Sequence, residues 1–432
     1  MPQNKKIIQY TTEKHQISKS HFLWNFCDTL CYKAKNLYNQ GLYRIRQEFF
    51  KTEKYLNYNA LQKQMQKEKV ESYTGLNAKN SQLILQQLDK NFKSFFQALK
   101  VYKKSPNKFL GRPRIPQYKD KKGRFAVYFN IQTLSQPALR KGFLKLSGTE
   151  FSLPLKNPKG KIKSCRIIPR EGWYEIEIVY AEKIKKLKNP NKKIYAALDP
   201  GVTNLATVVT NSKDIQPVYI SGGPLKSINQ YYNKKRTELK SKQDTCTSKR
   251  GVKKIQKELN KLYKNRWNKV RDYLHKSSRV LTNFLVSSGV TNLVIGHNPE
   301  WKQEANMSKQ SNQNFCSIPH DLFFRMLIYK CSREGVIPQD NTEAYTSKCS
   351  FLDLEDIKKQ EIYKGHRTYR GLFKSSEGYK INADVNGAGN ILRKAVDGAF
   401  DQWSKAELIE GFVVNPVCLA TDPRFKSWQE VS

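Results

Sequence analysis

The sequence is short of acid, of histidine and of paired cysteine motifs, and it has no long apolar run. Acidic residues number 37 against 78 lysines and arginines in 432 residues, a net charge of +41. A compact chain with that self-repulsion needs a polyanion to neutralise it, and nucleic acid is the leading partner. An acidic lipid surface fits less well. No stretch approaches the ~20 apolar residues of a membrane span, and the basic residues run along the whole chain. The opening residues, MPQNKKIIQY, lack the apolar segment of a secretory signal. The eight cysteines (27, 31, 165, 246, 316, 331, 349, 418) include no C-x-x-C pair. That speaks against a four-ligand structural zinc and fits a reducing compartment. The six histidines show no metal-ligand spacing, so His275 and His320 are read as structural rather than as general bases.

What is present is enough for real cores: 38% hydrophobic and 12% aromatic residues exclude a disordered basic tail. The length predicts two to three domains at roughly 100–200 residues each. Residues 22–101 read as helical, with Leu85, Leu88, Phe92, Phe95 and Leu99 at the three-and-four spacing of a buried stripe. Lys90, Lys93 and Lys100 fall off that stripe. In 108–119, KFLGRPRIPQYK, Pro113 and Pro116 exclude a helix interior. This is an extended basic segment, and its Arg112, Arg114, Tyr118 and Lys119 are candidates for phosphate contact. Segments 124–129, 142–146 and 165–181 read as short strands, and the charged linker 182–193 closes this half.

Beyond the linker, an apolar strand 194–198 ends at Asp199, before a Pro-Gly turn and a second strand, 205–210. Residues 225–285 read as two long helices. Thirteen basic residues stand between 240 and 276 against the acids at 244, 258 and 272. That imbalance is better explained by phosphate contact than by a solvated face, with Lys253, Lys254, Lys257 and Lys261 as candidates. A strand at 292–295, a helix over 319–334, a short strand near 335–338 and a helix opening at 382–391 complete the pattern. Two carboxylates fit a phosphodiester-hydrolysing site, which needs hard oxygen ligands at strand ends for divalent metal ions. They are Asp199, at a strand end, and Asp384, at a helix start among small residues. Locally each has a plainer reading, as a turn residue and as a cap.

The ordered set ALDPGVTNLATVVTN (197–211), LVIGHNPEWKQ (293–303), NQNFCSIPH (312–320), EAYTSKCSFLD (343–353), RTYRGLFK (367–374) and INADVNGAGNILRK (381–394) is far more specific. It resembles the RuvC-type nuclease of the TnpB family and its eukaryotic relatives, the Fanzor proteins. Upstream, LYNQGLY (37–43) and KFLGRPRIPQYKDK (108–121) resemble the family's amino-terminal half, so the likeness covers most of residues 20–395. The resemblance implies an α/β, RNase H-like RuvC nuclease domain plus a β-barrel wedge domain with a helical recognition insertion. In this chain that gives 1–20 as the start of the wedge, 21–105 as the recognition domain and 106–190 as the wedge barrel. The nuclease domain is then 191–432, with a helical insertion over 225–288 and a nucleic-acid-binding insertion over 349–380. It also implies a transposon-derived guide RNA, target double-stranded DNA cut beside a short flanking motif, and a two-metal Mg²⁺ site. A heteroduplex held by its backbone fits a long basic channel.

Two departures stand out. The family usually carries a glutamate at the end of the second RuvC strand, where this chain has Gly296. Some branches relocate it, and the matching residue here is Glu343; Glu300 and Glu304 are the competing candidates. The expected ligands are therefore Asp199, Glu343 and Asp384. The family's four-cysteine zinc ribbon is also missing, since only Cys349 remains in its place. No structural zinc is expected, and Arg367, Tyr369 and Arg370 in that insertion are placed to touch nucleic acid. Ser347 and Lys348 either position DNA near the metals or cap the following turn. The rival reading is a nuclease-inactive RNA-guided DNA-binding repressor, which Gly296 makes credible. The resemblance leaves localisation open between a nucleus and a prokaryotic cytoplasm.

Overall fold

The computed structural model describes residues 8–147, 149–157, 160–183, 193–297 and 309–419. They form two compact units, Tyr10–Glu182 and Lys183–Ser432, with Met1–Gln9 counted in the second. Most of the charged linker lies outside the described residues. No helix among the described residues is long and apolar enough to cross a membrane.

In the first unit β1 (Ile8–Ile17) precedes four helices, α1 (Trp24–Thr52), α2 (Tyr58–Lys67), α3 (Glu71–Thr74) and α4 (Ala78–Lys104). The spacing of Leu85, Leu88 and Phe92 does make the buried edge of α4, whereas Phe95 and Leu99 are only half-buried. Helix α1 comes so close that a Cβ on Gly41 would lie 3.0 Å from the side chains of Leu85 and Leu88. The expected strands follow as β2 (Val127–Asn130), β3 (Phe143–Lys145), β4 (Ser152–Pro154), β5 (Lys161–Arg170) and β6 (Trp173–Lys183), with a short helix α5 (Gln136–Arg140) before β3. Alternation along β5 and β6 sends Ile162, Cys165, Ile167, Tyr174, Ile176 and Ile178 into the core. Where a barrel is expected, the described residues form two sheets. Among the described residues four strands pair in the order β1-β6-β5-β2, and β3 pairs with β4 in a second sheet. The tight turn after β2, Ile131–Thr133, leads into residues that meet the end of β3: the Ser135 N–H donates to the Lys145 carbonyl at 2.9 Å and the Ser147 N–H to the Thr133 carbonyl at 3.0 Å.

The second unit is built on a six-stranded sheet. Its strands are β7 (Ile194–Pro200), β8 (Asn204–Thr210), β9 (Val218–Ser221), β10 (Val290–Gly296), β11 (Ile337–Asn341) and, at the far edge, β15 (Val417–Cys418). The order is β11-β10-β7-β8-β9-β15. The first three strands run antiparallel by short turns, and β10 and β11 add parallel to β7. Helices α6 (Gly223–Thr245) and α7 (Lys249–Ser287) stand between β9 and β10, while α8 (Lys309–Ser317) and α9 (His320–Glu334) connect β10 to β11. A three-stranded sheet, β12 (His366–Tyr369), β13 (Leu372–Lys374) and β14 (Lys380–Asn382), leads into α10 (Ala383–Ala395) and α11 (Lys405–Phe412).

Strand alternation gives the large sheet two different faces. Leu198, Ala206, Val208, Leu293 and Ile295 pack with Leu274 and Leu281 of α7 and Phe323 and Leu327 of α9. Ala197, Val209 and Val294 point the other way, into Val385, Ala388 and Ile391 of α10. With polar groups in alternate positions, this second face is the one that carries chemistry.

Candidate active site

Three carboxylates approach one another where β7, β10 and β11 end beneath the first turns of α10. Asp199 is the last residue of β7 before Pro200 and shares the α10 face with Ala197. Its cross-strand partner is Thr207. A Cβ on Gly387 would stand 3.1 Å from Asp199 Oδ2, so the small residue lets α10 settle on the carboxylate. The following turn is fixed by His320, buried and donating from Nε2 to the Gly201 carbonyl at 3.0 Å. That is the structural role expected of this histidine.

Asp384 opens α10, but the cap is its neighbour. The Asn382 side chain accepts from the backbone N–H of Asp384 and Val385 at 3.0 and 3.2 Å. The Asp384 carboxylate is therefore not used in capping. Instead Asn204, at the start of β8, donates to its Oδ2 at 2.8 Å.

Glu343 arrives from the adjacent parallel strand. Gly296 at the end of β10 is in register with Asn341 at the end of β11, and Glu343 lies two residues further on. A Cβ on Gly296 would stand 2.8 Å from Glu343 Oε1 and 3.0 Å from its Cγ. The missing side chain at 296 is the space that the Glu343 side chain fills. The turn after Glu343 is closed by Thr346, whose N–H and hydroxyl donate to the Glu343 carbonyl at 3.2 and 2.9 Å. Two fully buried asparagines of α10 hold this turn. Asn390 donates to the carbonyls of Thr346 and Cys349 at 3.0 and 2.7 Å. Asn386 donates to Cys349 at 2.9 Å and accepts from the Phe351 N–H at 2.9 Å. One helix thus carries Asp384, makes room for Asp199 and clamps the segment bearing Glu343.

The electrostatics are those of anions crowded in a poorly solvated place. Burial, then the charges of Glu343 and Asp384, push the Asp199 carboxyl well above the carboxylate range, with Arg367 opposing. Burial alone raises Glu343 to about 7. Its Oε1 is sealed from solvent without a hydrogen-bond partner, as are Thr207 Oγ1 and Asn341 Nδ2 near the same strand ends. Unpaired buried polar atoms are rare enough to mark a place that a ligand completes. Hard oxygen donors in an electron-rich pocket fit a divalent cation such as Mg²⁺. Among the described residues no three Asp, Glu, His or Cys side chains converge tightly enough to close around one ion. The carboxylates are neighbours rather than a collapsed cage.

The other expected residues divide. Arg367 and Arg370 are exposed on β12 and the turn after it, with Arg367 acting on Asp199. Ser347 and Lys348 are exposed in the turn after Glu343. Lys253, Lys254, Lys257 and Lys261 are all exposed along α7. In the first unit, Arg112 and Arg114 are exposed on an extended segment. Tyr118 lies under the Arg46 guanidinium at 4.8 Å. The Lys119 backbone is gripped by Asn39 of α1 at 2.8 and 2.9 Å, with its ammonium 5.2 Å from the Tyr38 ring. Those two residues fasten the segment to α1. Glu300 and Glu304 lie outside the described residues. Cys349 is a buried thiol facing the carbonyls of Asp356 and Lys358. Sequence reasoning missed Asn204, Asn386 and Asn390. The last two are four apart on a helix face otherwise made of small and apolar residues, and that spacing was a usable signal.

Two family models match in chain order: OrfB_IS605, described as a probable transposase, over residues 177–302, and the Cas12f1-like TNB domain over residues 320–391. The TnpB-like protein ORF457 of Acidianus two-tailed virus is 24% identical over 415 residues, covering 86% of this chain and 84% of the relative. Among solved structures, the Cas12f1–sgRNA–target DNA complex matches with a TM-score of 0.53 at 14% identity, over 85% of this chain and 82% of that one. The two family models, in chain order, and the relative matched over most of both lengths support a TnpB-type protein.

Proposed function

We propose that the chain is an RNA-guided DNA endonuclease in which Asp199, Glu343 and Asp384 hold Mg²⁺ for phosphodiester hydrolysis. The observation that carries this reading is the Glu343 carboxylate lying in the space left by Gly296, beside Asp199 and Asp384. A repressor with a lapsed nuclease has no need of a glutamate delivered into that gap. The net charge of +41 supports a nucleic-acid partner of considerable length, and the solved structure of similar fold is itself a complex with guide RNA and target DNA.

A divalent cation bound by these carboxylates supplies Lewis acidity and lowers the pKa of bound water. The chain's own residues set the geometry for it. Asn204 fixes the rotation of the Asp384 carboxylate, and Gly387 sets the distance between α10 and Asp199. The asparagine clamp holds the Glu343 turn. Arg367 places positive charge near Asp199, where a phosphodiester approaching an anionic pocket needs it. The basic face of α7 binds backbone phosphates without reading sequence, and recognition of sequence falls to base pairing with the guide. Residues 21–105 and 106–190 are assigned to recognition and wedge roles, 225–288 to a helical insertion and 349–380 to a nucleic-acid-binding insertion.

The test is to sequence the RNA that co-purifies with the protein and to offer the complex a plasmid library with a randomised flank beside a guide-matched target. Cutting confined to a subset of flanks supports the proposal. Guide-dependent binding without cutting replaces it with the repressor.

A further inference from the structure

Next to the carboxylates lies a pair of cations that nothing in the site so far explains. Lys226 sits in the first turn of α6 and donates to Thr203 Oγ1 at 3.0 Å. Thr203 belongs to the turn that follows Asp199, and its carbonyl accepts from the Gly222 N–H at 2.7 Å. The start of α6 and the Lys226 ammonium are thereby both held to the turn that follows Asp199. Arg370 comes from a different direction. It is exposed at the tip of the β12–β13 hairpin, where Gly371 takes φ +100°. The Gly371 carbonyl accepts from the Ala383 N–H at 3.0 Å, docking the tip against the residue before Asp384.

Asn204, next to Thr203, donates to Asp384, and Gly371, next to Arg370, is hydrogen-bonded to Ala383, so the two cations come in on either side of the same carboxylate; burial and then the Arg370 charge oppose protonation of Lys226. Neither has a carboxylate within ion-pair distance among the described residues. Two positive groups held together by separate elements, without an anion between them, are mutually repulsive until an anion arrives. Their position, one beside the turn after Asp199 and one beside the start of α10, puts that anion at the rim of the carboxylate pocket. A phosphate is the anion that a guanidinium and an ammonium both recognise.

We propose that Lys226 and Arg370 form a two-cation clamp for a backbone phosphate of the DNA strand, flanking the bond to be cut. The clamp rests on the nuclease reading above and adds to it positioning residues that do not touch the metals. It acts on strand alignment, with Thr203 pre-setting the lysine.

The experiment uses the protein–RNA complex and guide-matched DNA in which single phosphates around the cut are replaced, one at a time, by uncharged methylphosphonates. Wild type should slow about tenfold at one position, the size of a lost charge-assisted contact. Lys226→Gln and Arg370→Gln should slow by a similar factor on ordinary DNA and show no further loss at that same position. Lys226→Arg should retain most of the rate, and Thr203→Val should raise the DNA concentration for half-maximal rate more than it lowers the maximal rate. Variants that stay fully sensitive to every neutral linkage would overturn the clamp. If wild type cuts no DNA, the nuclease reading fails and the clamp is judged by binding. Equilibrium binding of a single-stranded oligonucleotide should then be weaker in both variants, with a salt slope smaller by about 0.7 per lost contact. Equal binding by wild type and variants would overturn it.

Discussion

Replacing Glu343 with glutamine should stabilise the metal-free protein while removing its activity. The glutamate proton is lost near pH 4.5 in the unfolded chain and near pH 7 in the folded one, because burial disfavours the charge. Between those values the folded state binds more protons than the unfolded state. Stability therefore falls as pH rises through that window, and the loss is complete above about pH 7. A shift from about 4.5 to about 7, at 1.36 kcal/mol per unit, gives a cost of about 3 kcal/mol. Glutamine has no proton to lose. At pH 8 in EDTA, Glu343→Gln should melt roughly 6–12 °C above wild type, at ~2–4 °C per kcal/mol for a unit of this size. At pH 4 the two should coincide. Adding Mg²⁺ at pH 8 should raise wild type and leave the variant unchanged. Thermal melts at pH 4 and 8, with EDTA or Mg²⁺, measure all of this. A variant no more stable than wild type at pH 8 in EDTA would refute the argument that Glu343 is an ion held without its counter-ion.

Three further outcomes follow from the same geometry. Gly296→Ala places a Cβ 2.6 Å from Ile391 Cδ1 and 2.8 Å from Glu343 Oε1. Both are side-chain ends that can move, so folding should survive while single-turnover cleavage drops about 100-fold from a misplaced carboxylate, with guide-RNA binding unchanged. Asn390→Ala leaves the Thr346 carbonyl buried without its donor and should cost about 2 kcal/mol in denaturant unfolding. Asn204→Ala frees the Asp384 carboxylate and should raise the Mg²⁺ requirement for cleavage about 10- to 100-fold, read from a metal titration.

The sequence carried the nuclease half well because its signals are local. Apolar strand runs end at Asp199 and Gly296, the helix stripes repeat at regular spacing, and a run of small residues opens α10. The Gly296 anomaly was legible as a gap. That Glu343 fills it depends on β11 lying parallel to β10 with Asn341 opposite Gly296, a register that joins residues 45 positions apart. Strand content says nothing about how strands group, and the division into the β1-β6-β5-β2 sheet and the β3-β4 pair was not legible. That Tyr118 and Lys119 also fasten their segment to α1 was not legible, because Arg46, Asn39 and Tyr38 engage them from a helix some 70–80 residues earlier. Asn204 and Lys226 were invisible for the same reason, since their partners Asp384 and Thr203 meet them only in the folded unit.

The central claim is that Glu343 has taken over the metal-binding position vacated at Gly296. The direct measurement is cleavage of a guide-matched DNA by the purified protein–RNA complex, in Mg²⁺ or EDTA, for wild type and for Asp199→Ala, Glu343→Ala and Asp384→Ala. The account predicts Mg²⁺-dependent cutting by wild type, and loss of cutting in all three variants with RNA retention unchanged. Glu343→Ala that cuts at the wild-type rate would contradict it.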